Sequence, residues 1–428
     1  MATRNRVIYQ SEAVYCTQNV SFSGSNVGAY AAKDLNRVQS ANYSFNIGRT
    51  DVNQFGQLGA IDRIITESPT VSFDSSYLLA NFANEARLGF FVTPSGQNGP
   101  FRSCISPIID STDNAYMKNY YILQAKEGKD ADVETSGTTA TTGQYESIIG
   151  IGNAGLTSYA VEAAVGGFPS VSFAAEGLNM NFNQVASVGV SGAPQKHAYY
   201  ISGVNPAIDP VNGRGLYSGN GIGSTNCSVS LPVPTGNAGG NTVSQRAAGN
   251  VSVLRPGDIK LFLSKQTSKA VDTAALSTSM QTPEYAGASI TAAHIQSFNI
   301  SFDMSRSSIE QLGNKFAYAR LIDFPISLSM GIDAVVSDLT TGSLAEIINC
   351  DDTFDARIAL YSPDCVAYAV DKTVVAANYI VKGIKLDSQS FSLGIGDNKT
   401  VSLSFSTQIG GPEQSGLGLF MSGYTGVL

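Results

Sequence analysis

One segment of the chain is written twice, and any fold must supply the same environment in two places. VQSANYSFNIGRTDVNQFGQLGAIDR, residues 38–63, aligns without a gap with IQSFNISFDMSRSSIEQLGNKFAYAR, residues 295–320. About ten of about 26 positions are identical, more than shared composition would give. They are Gln39/Gln296, Ser40/Ser297, Asn42/Asn299, Ser44/Ser301, Phe45/Phe302, Arg49/Arg306, Gln54/Gln311, Gly56/Gly313, Ala60/Ala317 and Arg63/Arg320. Each copy opens with strict alternation, the signature of a strand with one face buried. Ala41, Tyr43, Phe45 and Ile47 point one way; Ser40, Asn42, Ser44 and Asn46 point the other. The second copy sets Phe298, Ile300, Phe302 and Met304 against Ser297, Asn299, Ser301 and Asp303. The apolar set drifts between copies while the polar set keeps Ser, Asn and Ser. Two readings follow: the polar face touches something other than bulk water in both copies, or small polar residues simply suit strands.

The repeat extends further. Residues 50–60 and 307–317 read as loops with one helical turn, because Gly56 and Gly313 interrupt any helical pattern. Extended segments follow at 64–74 and 321–331, with Val71 and Phe73 matched to Leu328 and Met330. A short helix is expected within 78–90 and again at 343–348, where Ser343 and Glu346 have capping-box spacing. Residues 119–128 and 356–364 read as core strands. Residues 156–173 and 386–403 align as closing hairpins, Val161, Val165, Val171 and Phe173 meeting Phe391, Ile395, Val401 and Leu403. Two short strands are expected near the start, at 6–10 and 19–23. The expected fold is therefore mainly β: two tandem homologous β-sandwich or barrel domains, each with a short flanking helix, plus loop-rich insertions. Domain one spans 1–190 with an insertion at roughly 91–145, and domain two spans 191–428 with an insertion at roughly 205–290. The boundary falls in the small, polar stretch 187–197.

Composition narrows function. Only 14% of residues are charged, low for a freely soluble surface and suited to a subunit that covers much of itself with copies of itself. The net charge is −8, without a basic cluster, which argues against tight binding to nucleic-acid phosphates. The opening residues hold no apolar h-region and no apolar run reaches the length of a membrane helix, so neither a secretory signal nor a span is expected. The five cysteines, Cys16, Cys104, Cys227, Cys350 and Cys365, have no CxxC spacing and read as buried free thiols.

Motifs of chemistry are weak. Gly150, Gly152 and Gly155 match GxGxxG, but a strand pattern follows where a dinucleotide site needs a helix. His197 and His294 lack metal-ligand spacing. The acidic pairs Asp351/Asp352 and Asp130/Asp132 have no surrounding cleft signature. Sequons at Asn19, Asn42, Asn226, Asn250, Asn299 and Asn398 suit chance in an Asn/Ser-rich chain. No catalytic, cofactor-binding or metal residue is assigned, and the chain is not read as an enzyme.

The blocks QSANYSFNIGRTDVNQFG and QSFNISFDMSRSSIEQLG, with TTGSLAEIIN and the closing hairpins, resemble the tail tube (major tail) proteins of tailed bacteriophages. The resemblance covers the core of each half and leaves the insertions unexplained. It implies a structural subunit of the virion tail, made in the host cytoplasm, whose strands join around a ring. Rings would stack into a hollow tube through which the genome passes without specific binding. Partners would be further copies of the chain, with tape-measure, baseplate and terminator proteins and, if the tail is contractile, a sheath, and no membrane or cofactor. With two domains per chain, the ring would close as a trimer with pseudo-sixfold symmetry. Ser40, Asn42, Ser44, Asn46, Ser297, Asn299, Ser301 and Asp303 would line the lumen or a ring interface. A baseplate, terminator-ring or decoration protein, and a carbohydrate-binding β-protein, are the alternatives.

Overall fold

The structure is a computed structural model. It describes residues 12–18, 30–31, 33–66, 70–94, 102–109, 117–125, 145–177, 179–184, 198–202, 228–232, 253–265, 293–310, 312, 319–336, 353–361, 375–392, 400–412, 414 and 416–423. The first half holds β1 (Glu12–Gln18), β2 (Tyr30–Ala31), β3 (Lys33–Asp34), β4 (Val38–Asn46), β5 (Arg49–Val52), β6 (Asp62–Ile65) and β7 (Thr70–Leu78). It continues with α1 (Ala83–Leu88), β8 (Val92–Pro94), α2 (Ser106–Ile109), β9 (Lys118–Ala125), β10 (Tyr145–Ala164), β11 (Ser170–Gly177) and β12 (Asn179–Gln184). The second half holds β13 (Ala198–Ser202), β14 (Ser228–Pro232), β15 (Ile259–Lys265), β16 (Ala293–Asp303), β17 (Arg306–Ile309), β18 (Ala319–Ile322) and β19 (Ile326–Val336). It ends with β20 (Phe354–Tyr361), β21 (Val375–Ser392), β22 (Thr400–Ile409) and β23 (Gly418–Gly423). The chain is mainly β.

Eight strands form one antiparallel run in the order β4-β7-β11-β10-β16-β19-β22-β21. Two covering sheets lie against it, β1-β9-β10-β12 and β15-β20-β21-β23, the latter extended by β8 pairing parallel to β23. β10 and β21 belong to both layers. Their first parts pair in the covering sheets and their last parts in the long sheet, with register shifts at Leu156/Ser158 and Leu386/Ser388 where each bends.

Core side chains fill the space between layers. Phe73 of β7 meets Tyr120 of β9 at 4.9 Å and Phe173 of β11 at 5.8 Å; Phe354 of β20 meets Phe405 of β22 at 6.4 Å. Each such buried ring removes enough apolar surface from water to contribute roughly 1.5–3 kcal/mol. α1 ends at Gly89, whose φ of 105° closes the helix with bonds to the Glu85 and Ala86 carbonyls. The alternation of β16 is realised in burial: Phe298, Ile300 and Phe302 are buried, as is Met304 just beyond the strand's end.

Matching strands in the two halves pair in matching registers. Val38 opposes Tyr77 and Ser40 opposes Ser76, with a shift between them; at the aligned places Ile295 opposes Ala334 and Ser297 opposes Asp333, again with a shift between them. Leu156/Ala175 and Ser158/Ala174 correspond to Leu386/Phe405 and Ser388/Ser404.

Several expectations are corrected. The segments expected as loops with a helical turn instead begin in strands that pair with the strands after them, β5 with β6 and β17 with β18, residues 311 and 313–317 lying outside the described residues. In these the strands close first, and Gly56, at φ 90°, sits in the connecting turn. A strand runs through Glu12–Gln18, between the two expected near the start. Those segments, the helix at 343–348, the acidic pairs, His197, Ile395, the stretch 187–197, and Cys227, Cys350 and Cys365 lie outside the described residues. Phe45 and Phe391, expected inside, are 44% and 48% exposed, because each lies on a strand at the end of the long sheet. Val165 is 66% exposed because it stands at the tip of the β10–β11 hairpin.

Candidate functional site

Residues directly opposed in an antiparallel pair share a face, so the register reads out each face of the long sheet. One row crosses all eight strands: Ser40, Ser76, Ser172, Ala160, Ser301, Ser329, Ser406 and Lys385. A second runs Ser170, Glu162, Asn299, Gly331, Ser404, Ser388. The opposite face carries Tyr77, Val171, Val161, Ile300, Met330, Phe405 and Leu386 and belongs to the core.

All eight residues proposed from the repeat lie on the polar face. Asn42, Ser44, Asn46, Asn299 and Asp303 are exposed, and Ser40, Ser297 and Ser301 are half-buried. The structure ties them into cross-strand pairs rather than one cluster. Ser40 and Ser76 share a hydrogen bond of 2.6 Å, Ser44 and Ser72 one of 2.6 Å, and Ser301 and Ser329 one of 2.8 Å. Ser297 Oγ donates to Asp333 at 2.6 Å, and Asn299 Oδ1 accepts from the Gly331 amide at 2.7 Å. The β10–β16–β19–β22–β21 part of the face is hollow, forming a concavity of about 540 Å³ floored by Glu162, Asn299, Gly331, Asp333, Ser390 and Ser404. Asp74, Glu162, Asp303 and Asp333 give the face a negative balance, with Lys385 at its margin.

Where the halves meet, β10 pairs with β16 from Ser158/Asp303 to Ala164/Ser297. Tyr159 and Phe302 lie across that joint with ring centres 5.6 Å apart, and Phe90 packs on Tyr159 at 4.9 Å. Arg306 Nε donates to the Leu156 carbonyl at 3.0 Å. Its guanidinium fits because residue 155 is glycine; a Cβ there would stand 2.5 Å from the Arg306 Cζ. Arg320, nearly fully buried, makes a 2.6 Å ion pair with Glu176 of β11. Glu85 of α1 lies beneath the joint. Its Oε1 accepts from Tyr77 at 2.8 Å and from Tyr159 at 3.2 Å, and Tyr159 meets the Tyr379 hydroxyl at 2.9 Å. Burial pushes the Glu85 carboxyl up to about 7, against the opposing pull of the two phenols and, more weakly, of Arg37. Burial likewise raises Tyr77, Tyr159 and Tyr379.

The identities Arg49/Arg306 and Arg63/Arg320 carry no role in the sequence alone; the joint supplies one for the second member of each. Glu85 and the tyrosines carried no signal in the sequence. The two hairpins project apolar side chains: Phe55 and Leu58 on one, Leu312 on the other, all fully exposed.

Cys16 and Cys104 are buried free thiols, and desolvation raises Cys16 to about 11. Gly150, Gly152 and Gly155 lie inside β10 with no helix after them. Among the described residues no group of three or more His, Cys, Asp and Glu is placed to hold a metal ion, and no helix is long and apolar enough to cross a membrane. No family model matches the chain, and no curated protein matches it.

Proposed function

We propose that the chain is a structural subunit of a hollow tube, of the kind formed by bacteriophage tail tube proteins, with two tandem homologous domains in one polypeptide. The observation that carries this reading is the eight-stranded sheet that runs unbroken through both halves, with one face in the core and the other small-residued and acidic, and hollow over its β10–β16–β19–β22–β21 part. A sheet curving toward its polar face makes a wall whose inside is that face. Ser40, Asn42, Ser44, Asn46, Ser297, Asn299, Ser301 and Asp303 then line the lumen.

Three copies give about 24 strands. At a spacing of about 4.8 Å and a tilt of about 40°, the wall is about 48 Å across between backbones. Side chains reaching about 5 Å inward on each side leave about 38 Å, enough for a nucleic-acid duplex. Short hydroxyl side chains already paired to one another offer a passing phosphate little to hold, and the carboxylates repel it. The duplex slides. The exposed apolar tips at Phe55, Leu58 and Leu312 suit contacts between stacked rings.

The test is negative-stain microscopy of the purified, concentrated chain beside sedimentation velocity. Hollow cylinders of stacked rings are expected, with three chains per ring. Rings that never stack would favour a terminator or baseplate ring instead. A chain that stays monomeric at high concentration and forms no rings would overturn the reading.

A further inference from the structure

We infer that the two ends of the long sheet are the halves of one joint: β21 of one chain pairs antiparallel with β4 of a second copy, Phe391 opposite Tyr43 and Gln389 opposite Phe45. This rests on the tube reading for its partner, and on the chain's own β10–β16 joint for its geometry.

β21 is held by β22 in the register in which β10 is held by β11, with the bend at the same place. β4 is held by β7 in the register in which β16 is held by β19. β10 and β16 then pair with each other. Their counterparts, β21 and β4, end the sheet on opposite sides, with no further strand beside them among the described residues. Carrying the β10–β16 register across gives Gln389/Phe45 and Phe391/Tyr43 on the core face. On the polar face it gives Ser388/Asn46, Ser390/Ser44 and Ser392/Asn42. The rows of small polar residues continue through the new joint without a break.

Burial marks the same positions. Phe302, Ile300 and Val161 are buried to 2% or less at the inner joint, whereas Phe45 and Phe391 at the matching outer positions are 44% and 48% exposed. The amide Nε2 of Gln389 is buried without an acceptor among the described residues, at the place where Tyr159 spans the inner joint. β4 carries no Lys, Pro or charge that would guard it against another strand, as edge strands commonly do. The partner is a second copy of this chain, since only it offers the complementary edge in this register.

The outer joint is not a full copy. Lys385 stands where Gly155 makes room for Arg306, and Ser406 where Glu176 receives Arg320. Arg63 instead pairs with Asp51 of its own hairpin. The joint between chains therefore lacks the ion pair of the joint within the chain.

The experiment uses the full chain with Tyr43→Cys and Phe391→Cys together, oxidised with diamide and run on a non-reducing gel. Each single variant sets the background from native thiols. Covalent oligomers are expected at roughly tenfold or more over those backgrounds, because directly opposed residues lie within disulfide reach. Phe45→Cys with Phe391→Cys, two residues out of register, should give far less. Phe391→Lys should shift sedimentation toward monomer with Tm unchanged. Cylinders on the grid with no crosslink, or with the out-of-register pair crosslinking better, would overturn this joint and leave the tube reading standing. In-register crosslinks in open chains that never close would support the joint and overturn the tube. Monomers without crosslinks would overturn both.

Discussion

β16 and β4 are built on one sequence pattern and live in different surroundings. Phe302 on β16 is buried against Tyr159, and Phe45 on β4 stands half in solvent. Arg306 and Arg320 reach into the neighbouring half, Arg320 buried and Arg306 half-buried, while Arg49 is exposed and Arg63 makes an exposed pair with Asp51. The difference teaches that the alternation fixes which side of a strand is apolar, and that the neighbouring strand decides whether that side is dry.

The comparison can be broken most directly at the paired phenylalanines. Phe302→Ala should cost about 3–5 kcal/mol in urea unfolding, since it empties a packed site, while Phe45→Ala should cost under about 1 kcal/mol in the monomer. Similar losses would mean that the two edges are equally covered. Phe45→Ala should nevertheless weaken assembly, read by sedimentation.

Acidity sharpens the contrast, because Glu85 lies only beneath the covered joint. Tyr77 and Tyr159, which hold it, correspond to Ala334 and Gln389 in the other half. Its folded pKa of about 7 lies above the ordinary 4.5, so between those values the folded chain keeps a proton that the unfolded chain releases. This contribution is full below about pH 4.5 and is lost as pH rises through 7, up to about 3 kcal/mol in all. Glu85→Gln should flatten that window when stability is measured against pH beside the unsubstituted chain. An unchanged slope would remove Glu85 as its source.

The arginines come next. Arg320→Ala should cost about 2 kcal/mol, less than a fully buried pair because Glu176 is a third exposed. Arg63→Ala should change stability by less than about 0.5 kcal/mol, its pair with Asp51 being solvated on both sides. A comparably small effect should be equal in both halves: Ser44→Ala and Ser301→Ala each remove one exposed hydroxyl pair, worth about 0.5 kcal/mol. A large effect in only one half would mean that the faces have different tasks.

Much of this architecture is written locally. β4, β7, β16 and β19 announce themselves by alternation, and β9 and β20 by apolar runs. The closing hairpins are legible because the faces of their strands align. The hairpins β5–β6 and β17–β18 are not, since strands of four residues with mixed side chains have too few positions to establish a period. β1, EAVYCTQ, escaped because apolar and polar residues do not alternate cleanly along it. The polar face of the site was readable from two copies of one strand. Its extension across eight strands was not, because β10 and β16 are distant in the chain and their pairing leaves no periodic trace in either. Glu85 was invisible for a similar reason: its raised pKa comes from burial beneath strands, among them β7 and β10, whose tyrosines hold it, and β10 is distant in the chain.

β10 and β21 each pass from the covering layer into the wall as one uninterrupted backbone. Load placed on the outside of such a wall is handed to its inside through covalent bonds rather than side-chain contacts. In the proposed tube, the two layers of each half would be unable to slip past one another under bending without breaking a polypeptide. Shear stiffness is therefore set by the chain's own topology, before any subunit meets its neighbour.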